Sequence, residues 1–321
     1  MRDGGRMKKL LILPILFPIM ANAEVLSLED ALRATYTACV GIDESLSDLK
    51  KMAGINTAVT AVGTAAGAGA TVVGIVKADK DSKARGIVEG VNSTSTILYN
   101  DETIKGHLWD TDKLEEFKKE FEKKVKDKIW DEEVKPLRDE SKTLGDWRTG
   151  LMAGNTATNI AGAIIAGNNK VDEDLQTQID DCKIAVKNLQ DSMMQARMDG
   201  KDITEANNIV NICNEYNYVD VSSINDRANG AMISSIVGVA TGVAGTVTSA
   251  VANSEDIRKD EKKFDKTDKE WDTEKNWNTA ANVLAGTSTV ASGVATVFNA
   301  TQISAIKKVA SVAEKCTGVL K

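Results

Sequence analysis

Proline is almost missing from this chain. Of three prolines in 321 residues, Pro14 and Pro18 fall in the first twenty, which leaves Pro136 alone in the body of the protein. Sandwiches and barrels turn often and recruit proline to do so, so an all-β fold is excluded. Aromatic residues are scarce as well, at 4%. Histidine occurs once, as His107 in "IKGHLWD". A lone histidine rules out histidine-based metal clusters and leaves one candidate base for a Ser–His or Cys–His pair. We expect His107 at the surface or partly packed. No Gly-x-Ser-x-Gly, Gly-x-x-x-x-Gly-Lys-Ser/Thr or His-Glu-x-x-His motif is present, and no carboxylate pair stands out among the many acids. The expectation is no enzyme, no cofactor and no metal site.

An excess of positive charge is also lacking. The stretch "MKKLLILPILFPIMANAE" has a basic start, an apolar run from Leu10 to Met20 and an Ala21-Asn22-Ala23 cleavage pattern, the form of a secretory signal. Loss of residues 1–23 removes four basic groups (Arg2, Arg6, Lys8, Lys9) and one acid (Asp3), taking the net charge from −7 to −10. Nucleic acid is therefore not an expected partner. The expected location is the periplasm or cell envelope, or outside the cell.

What is abundant is alanine together with lysine and acids, an all-α composition of long helices. The first mature helix opens at Ser27, with Glu29 and Asp30 in its first turn. The stretch "LSLEDALRATY" at 26–36 resembles the opening of outer-membrane efflux proteins of the TolC type. That likeness spans barely a dozen residues, and no alternating barrel strands follow it.

Four uncharged segments rich in small residues come next, at about 55–76, 149–169, 228–254 and 276–306. Their small residues are periodic. The first has Ala53, Asn56, Thr60, Gly63, Gly67, Ala70 and Gly74 at heptad spacing. The third has Ala231, Ser235, Gly238, Gly242, Gly245, Ser249 and Ala252. In the fourth the spacing picks Asn282, Gly286, Thr289, Gly293, Thr296 and Ala300, and in the second Gly154, Thr158, Gly162 and Ala166. Glycine costs a helix about 1 kcal/mol relative to alanine, so a row of them implies close helix approach. Charged segments separate these seams. Residues 110–148 carry an apolar face of Leu114, Phe117, Phe121, Val125 and Ile129, and 255–275 carry Ile257, Phe264 and Trp271 seven apart. Both read as solvated helical tips.

The predicted fold is all-α: an elongated bundle of long antiparallel helices, made of two related helical hairpins with Gly/Ala/Ser/Thr seams. After the signal, the first hairpin covers 24–198 with a charged tip at 77–148. The second covers 199–321 with its tip at 255–275.

Four cysteines lie in the exported part, where disulfides persist. Residues 171–220 read as a helical hairpin turning at Gly200, and Cys182 and Cys213 lie too unequally about that turn to pair. With the seams antiparallel, Cys39 stands 17 residues before Asn56 and Cys182 stands 15 after Gly167. Cys213 stands 18 before Ala231 and Cys316 stands 16 after Ala300. The spacing therefore predicts Cys39–Cys182 and Cys213–Cys316.

The seams also suit lipid, being long enough to span a bilayer. Large apolar residues cover only part of each circumference, so the favoured expectation is a bundle in water. On this reading the protein is an exported envelope component with a structural or protein-interaction role. Trp130, Phe264 and Trp271 would be anchors for a protein partner, a second copy of the chain being one candidate. The alternative is a membrane-inserting protein with glycine-zipper hairpins, a pore-former, toxin or translocator component.

Overall fold

A computed structural model describes residues 26–100, 113, 115–116, 119–120 and 122–321. The expected signal at 1–23, His107, and Leu114, Phe117 and Phe121 lie outside the described residues. All regular structure among the described residues is helical, as the composition implies.

Seven helices carry the architecture: α1 Leu28–Cys39, α2 Ile42–Asn100, α3 Lys135–Asn168, α4 Glu173–Met198, α5 Thr204–Cys213, α6 Ser222–Ala252 and α7 Asp268–Leu320. At 1.5 Å per residue, the 59 residues of α2 extend about 90 Å, so the molecule is long. Local chemistry sets the helix ends. The Ser27 hydroxyl accepts from the Asp30 N–H at α1, and Asp172 accepts from the Leu175 N–H at α4. Thr267 and Glu270 form a reciprocal capping box at α7. Pro136 sits in the first turn of α3, directly after a π-helical turn. Wide π-helical turns at Glu122–Lys126 and Trp130–Val134 lead into that helix. Gly200 turns the chain between α4 and α5 with φ +72°, the left-handed region that glycine enters without penalty.

The long helices α2, α3, α6 and α7 form a closed ring in which each packs on two neighbours. All four neighbouring pairs run antiparallel. Asn56 meets Asn299 while Arg85 meets Asp272, and Gly145 abuts Asn253 while Gly162 lies against Ser235. The two expected hairpins, α2/α3 and α6/α7, thus close into one four-helix bundle.

Three levels follow along its axis. The base is built by α1, α4, α5 and the lower ends of α2, α6 and α7 around Ile42, Leu46, Ile179, Leu189, Ile224 and Ile306, all fully buried. It contains both disulfides, Cys39–Cys182 (S–S 2.02 Å) and Cys213–Cys316 (2.00 Å), the pairs expected from spacing. They lie side by side, the sulfurs of Cys39, Cys182 and Cys316 all within 4.8 Å of one another. The middle level holds the small-residue seams. The tip lies beyond it.

Candidate functional site

The middle level is inverted. Its boundaries are set by side chains that link the helices at equal height. At the base end, Gln302 donates to the Asn169 carbonyl (2.8 Å) and Arg227 donates to the Thr301 carbonyl. At the tip end, the Arg148 guanidinium reaches Ser249 (2.8 Å), Asn282 (3.0 Å) and Asn278 (3.1 Å) from the other two helices. Gly74 completes that level, since a Cβ there would run into Asn282 Oδ1. Between the two levels run about twenty residues of each helix, and none is charged.

Inside, the slab is polar and small. Asn56 donates to Asn299 (2.9 Å), and Asn299 to Thr60 (3.3 Å). Asn159 donates to Ser292 (2.8 Å), Ser292 to Asn155 (2.9 Å), Asn155 to Ser288 (2.9 Å) and Ser288 to the Gly238 carbonyl (3.0 Å). This ladder ties α3, α6 and α7 together through the buried interior. At Gly238 an added Cβ would meet Asn159 at 2.6 Å, so glycine there admits the asparagine.

Outside, the slab is apolar. The exposed side chains of α6 between Ala228 and Ala252 are Ile233, Ile236, Val237, Val243 and Val247 with alanines between them. On α2 they include Val62, Val72 and Ile75, and on α3 Ile160 and Ile164. Helix α7 exposes Val283, Val290, Val294 and Val297, with Val290 at 67%. The one exposed polar side chain of α7 between Asn282 and Ala300 is Thr287, whose hydroxyl folds back onto the Val283 carbonyl (2.9 Å). Thr64, Thr71, Thr246 and Thr296 at the flanks do the same to their own i−4 carbonyls. A hydroxyl so bonded needs no water. Trp147 (65% exposed) and Trp277 (36%) stand at the tip-side boundary, on the two helices that run toward the base.

The seams forecast from spacing are confirmed in α2 and α6, where every named residue is buried. In the other two helices the forecast holds in part: Gly162 and Ala166 of α3 are buried, and Asn282 and Thr289 of α7 lie against Gly74 and Gly67 of α2. The interior line of α7 is Asn278, Ala281, Ala285, Ser288, Ser292, Ala295 and Asn299. The forecast Ala300 is exposed, and Gly286 has nothing within 4 Å of an added Cβ. In α3 the buried line runs through Arg148, Met152, Asn155, Asn159, Gly162 and Ala166, and Gly154 faces outward. Gly154 and Gly286 misled because serine and asparagine, held by hydrogen bonds, line the interior there.

The tip departs from a simple solvated cap. Arg138, almost wholly buried, donates to Asp260 (2.6 Å), Asp81 (2.8 Å) and Glu274 (3.1 Å). Arg258 donates to the Arg138 carbonyl (2.6 Å) and to Ser141 (3.1 Å). Lys77, fully buried, pairs with Asp81 at 2.7 Å. Burial opposes the Asp81 charge, but Lys77 and Arg138 outweigh it and hold its carboxyl below the usual carboxylate range. Burial pulls the Lys266 ammonium below its ordinary value against its partner Glu274.

Trp130, Phe264 and Trp271, expected as free anchors, are instead the tip's own core, at 6%, 8% and 4% exposed with Ala84, Val88 and Val134. Trp130 and Phe264 meet edge to face at 5.9 Å. Trp271 carries the Lys266 ammonium 3.9 Å from its ring centre and the Arg138 guanidinium at 5.1 Å. Closure of the tip over the ionic network takes them out of solvent.

Family models, curated proteins and solved structures were compared with this chain, and none matches. The reading of function therefore rests on the geometry.

Proposed function

We propose that this chain is an exported, membrane-embedded structural protein. Its inverted slab lies in a lipid bilayer and holds the disulfide base on one side and the charged tip on the other. The observation that carries this reading is the apolar outer surface on all four helices at one height. Water-soluble bundles turn such residues inward, and an exposed apolar surface this continuous marks an interaction with lipid or protein. A single apolar face would fit one protein partner. A closed apolar ring fits a solvent.

The dimensions agree. About 20 residues of helix rise about 30 Å, the thickness of a bilayer's hydrocarbon core. Helices α2, α6 and α7 are each long and apolar enough to cross. Small residues inside and back-bonded hydroxyls are how helices associate in lipid, where apolar burial supplies no driving force. Trp147 and Trp277 stand where interfacial tryptophans anchor a span. A conduit along the bundle's own axis is not part of this reading, because Asn155, Asn159, Ser288 and Ser292 occupy it.

Alkaline carbonate extraction of membranes from cells expressing the chain tests the proposal. Retention in the pellet is the expected result. Release into the supernatant would return the slab to water and make its apolar ring a protein-docking surface.

A further inference from the structure

We infer that the bundle has one orientation: the base faces the oxidising side of a cytoplasmic membrane and the tip faces the reducing, cytosolic side. The inference rests on the membrane-embedded reading above. Two separate features of the chain point the same way.

The first is how each end is held together. All four cysteines of the chain lie in the base, and all are bonded to each other. Disulfides persist on the oxidising side of such a membrane and are kept reduced in the cytosol. The tip contains no cysteine. It is fastened by Arg138, Arg258, Lys77 and their carboxylates, bonds indifferent to redox state.

The second is the distribution of basic residues beside the spans. Short connections that stay in the cytosol are enriched in lysine and arginine, a bias counted on cations and not on net charge. The tip connection from Glu255 to Lys275 carries seven in 21 residues, whereas the base connection from Lys170 to Val221 carries five in 52. The tip-side flank of α2 adds Lys77, Lys80, Lys83 and Arg85, and that of α3 adds Lys135, Arg138, Lys142 and Arg148. Lys50 and Lys51 on the base side of α2, Arg227 on that of α6 and Lys307 and Lys308 on that of α7 oppose the trend and are outnumbered. Four crossings also return the chain to the side from which α2 departs, so α1 and the end of α7 share the base as they must.

Thiol labelling decides the orientation. Ser82 at the tip and Lys201 at the base are exposed, and the native cysteines, being bonded, do not react. Ser82→Cys and Lys201→Cys are each treated with a membrane-impermeant maleimide on intact spheroplasts and again after lysis. Thr273→Cys and Asp191→Cys, also exposed, provide a second pair if either variant is not recovered. Lys201→Cys is expected to label equally before and after lysis, and Ser82→Cys only after it. The reverse pattern overturns the orientation and leaves insertion standing. Labelling of both before lysis, or of neither, also overturns it. Carbonate extraction of the same variants then shows whether insertion fails with it.

Discussion

The base and the slab use the same helices in opposite ways. Helix α2 turns Ile42 and Leu46 inward in the base, then one helical span later turns Gly67 and Ala70 inward and Val62 and Val72 outward. Helix α7 does likewise, with Ile306 and Val309 buried in the base and Val290 and Val297 exposed in the slab. Nothing in the backbone changes between the two levels. The medium assigned to the outer face differs, and so does the source of cohesion. In the base, apolar burial at roughly 25 cal/mol per Å² supplies it. In the slab the interior offers little apolar area, and close packing plus asparagine and serine hydrogen bonds must serve.

Removing the disulfides is the largest way to break the comparison. The Cys39–Cys182 bridge spans 143 residues of sequence, for which the chain-entropy model gives about 4–5 kcal/mol. Cys39→Ser with Cys182→Ser is expected to lower the base's melting temperature strongly and to leave the tip's ionic core in place, read by hydrogen exchange of each level. Equal loss of protection at both ends would show one cooperative unit in place of separable levels.

Next comes the tip. Arg138→Met leaves Glu274 and Asp81 buried without their shared cation, and breaking a buried pair costs about 3–5 kcal/mol. Loss of tip protection in hydrogen exchange is expected, with the base unaffected. Acid acts in the same place. The Asp81 pKa is lowered on folding, so its stabilising contribution is present above the carboxyl's ordinary value of 3.8 and is lost as pH falls through the folded value. Below that point the tip should loosen while the base, tied covalently, persists. Tryptophan fluorescence from Trp130 and Trp271 would follow it.

Smaller effects separate the two faces of the slab. Gly238→Val inserts atoms where Asn159 already stands at 2.6 Å, and overpacking of this kind costs about 1–3 kcal/mol. Gly154→Ala points into open space and is expected to stabilise by about 0.4–1 kcal/mol. Thermal unfolding of the two variants should move in opposite directions. If both destabilise, Gly154 is covered by something on the outer face.

Much of this organisation is legible in the chain, and the exceptions are instructive. The all-α class, the seams of α2 and α6 and the disulfide pairing follow from period and spacing, because they depend on distance along helices. The true seam of α7 does not, since a serine or asparagine in the interior is favoured only by its partner on another helix. Asn155 needs Ser288 and Ser292, more than 130 residues away. The burial of Trp130, Phe264 and Trp271 was hidden for the same reason: three remote segments meet to enclose them. The inversion itself is hidden in any one helix, where large apolar residues cover only part of the circumference. In a bundle they need cover only the half that faces out.

The most direct test of the central claim is a nitroxide attached at Val290→Cys, where the side chain is exposed, in protein reconstituted into liposomes. The account expects easy collision of the label with dissolved oxygen, which concentrates in the hydrocarbon core, and poor collision with a water-soluble nickel chelate. The opposite ranking, with the chelate reaching Val290→Cys freely, would put the slab in water and contradict the account.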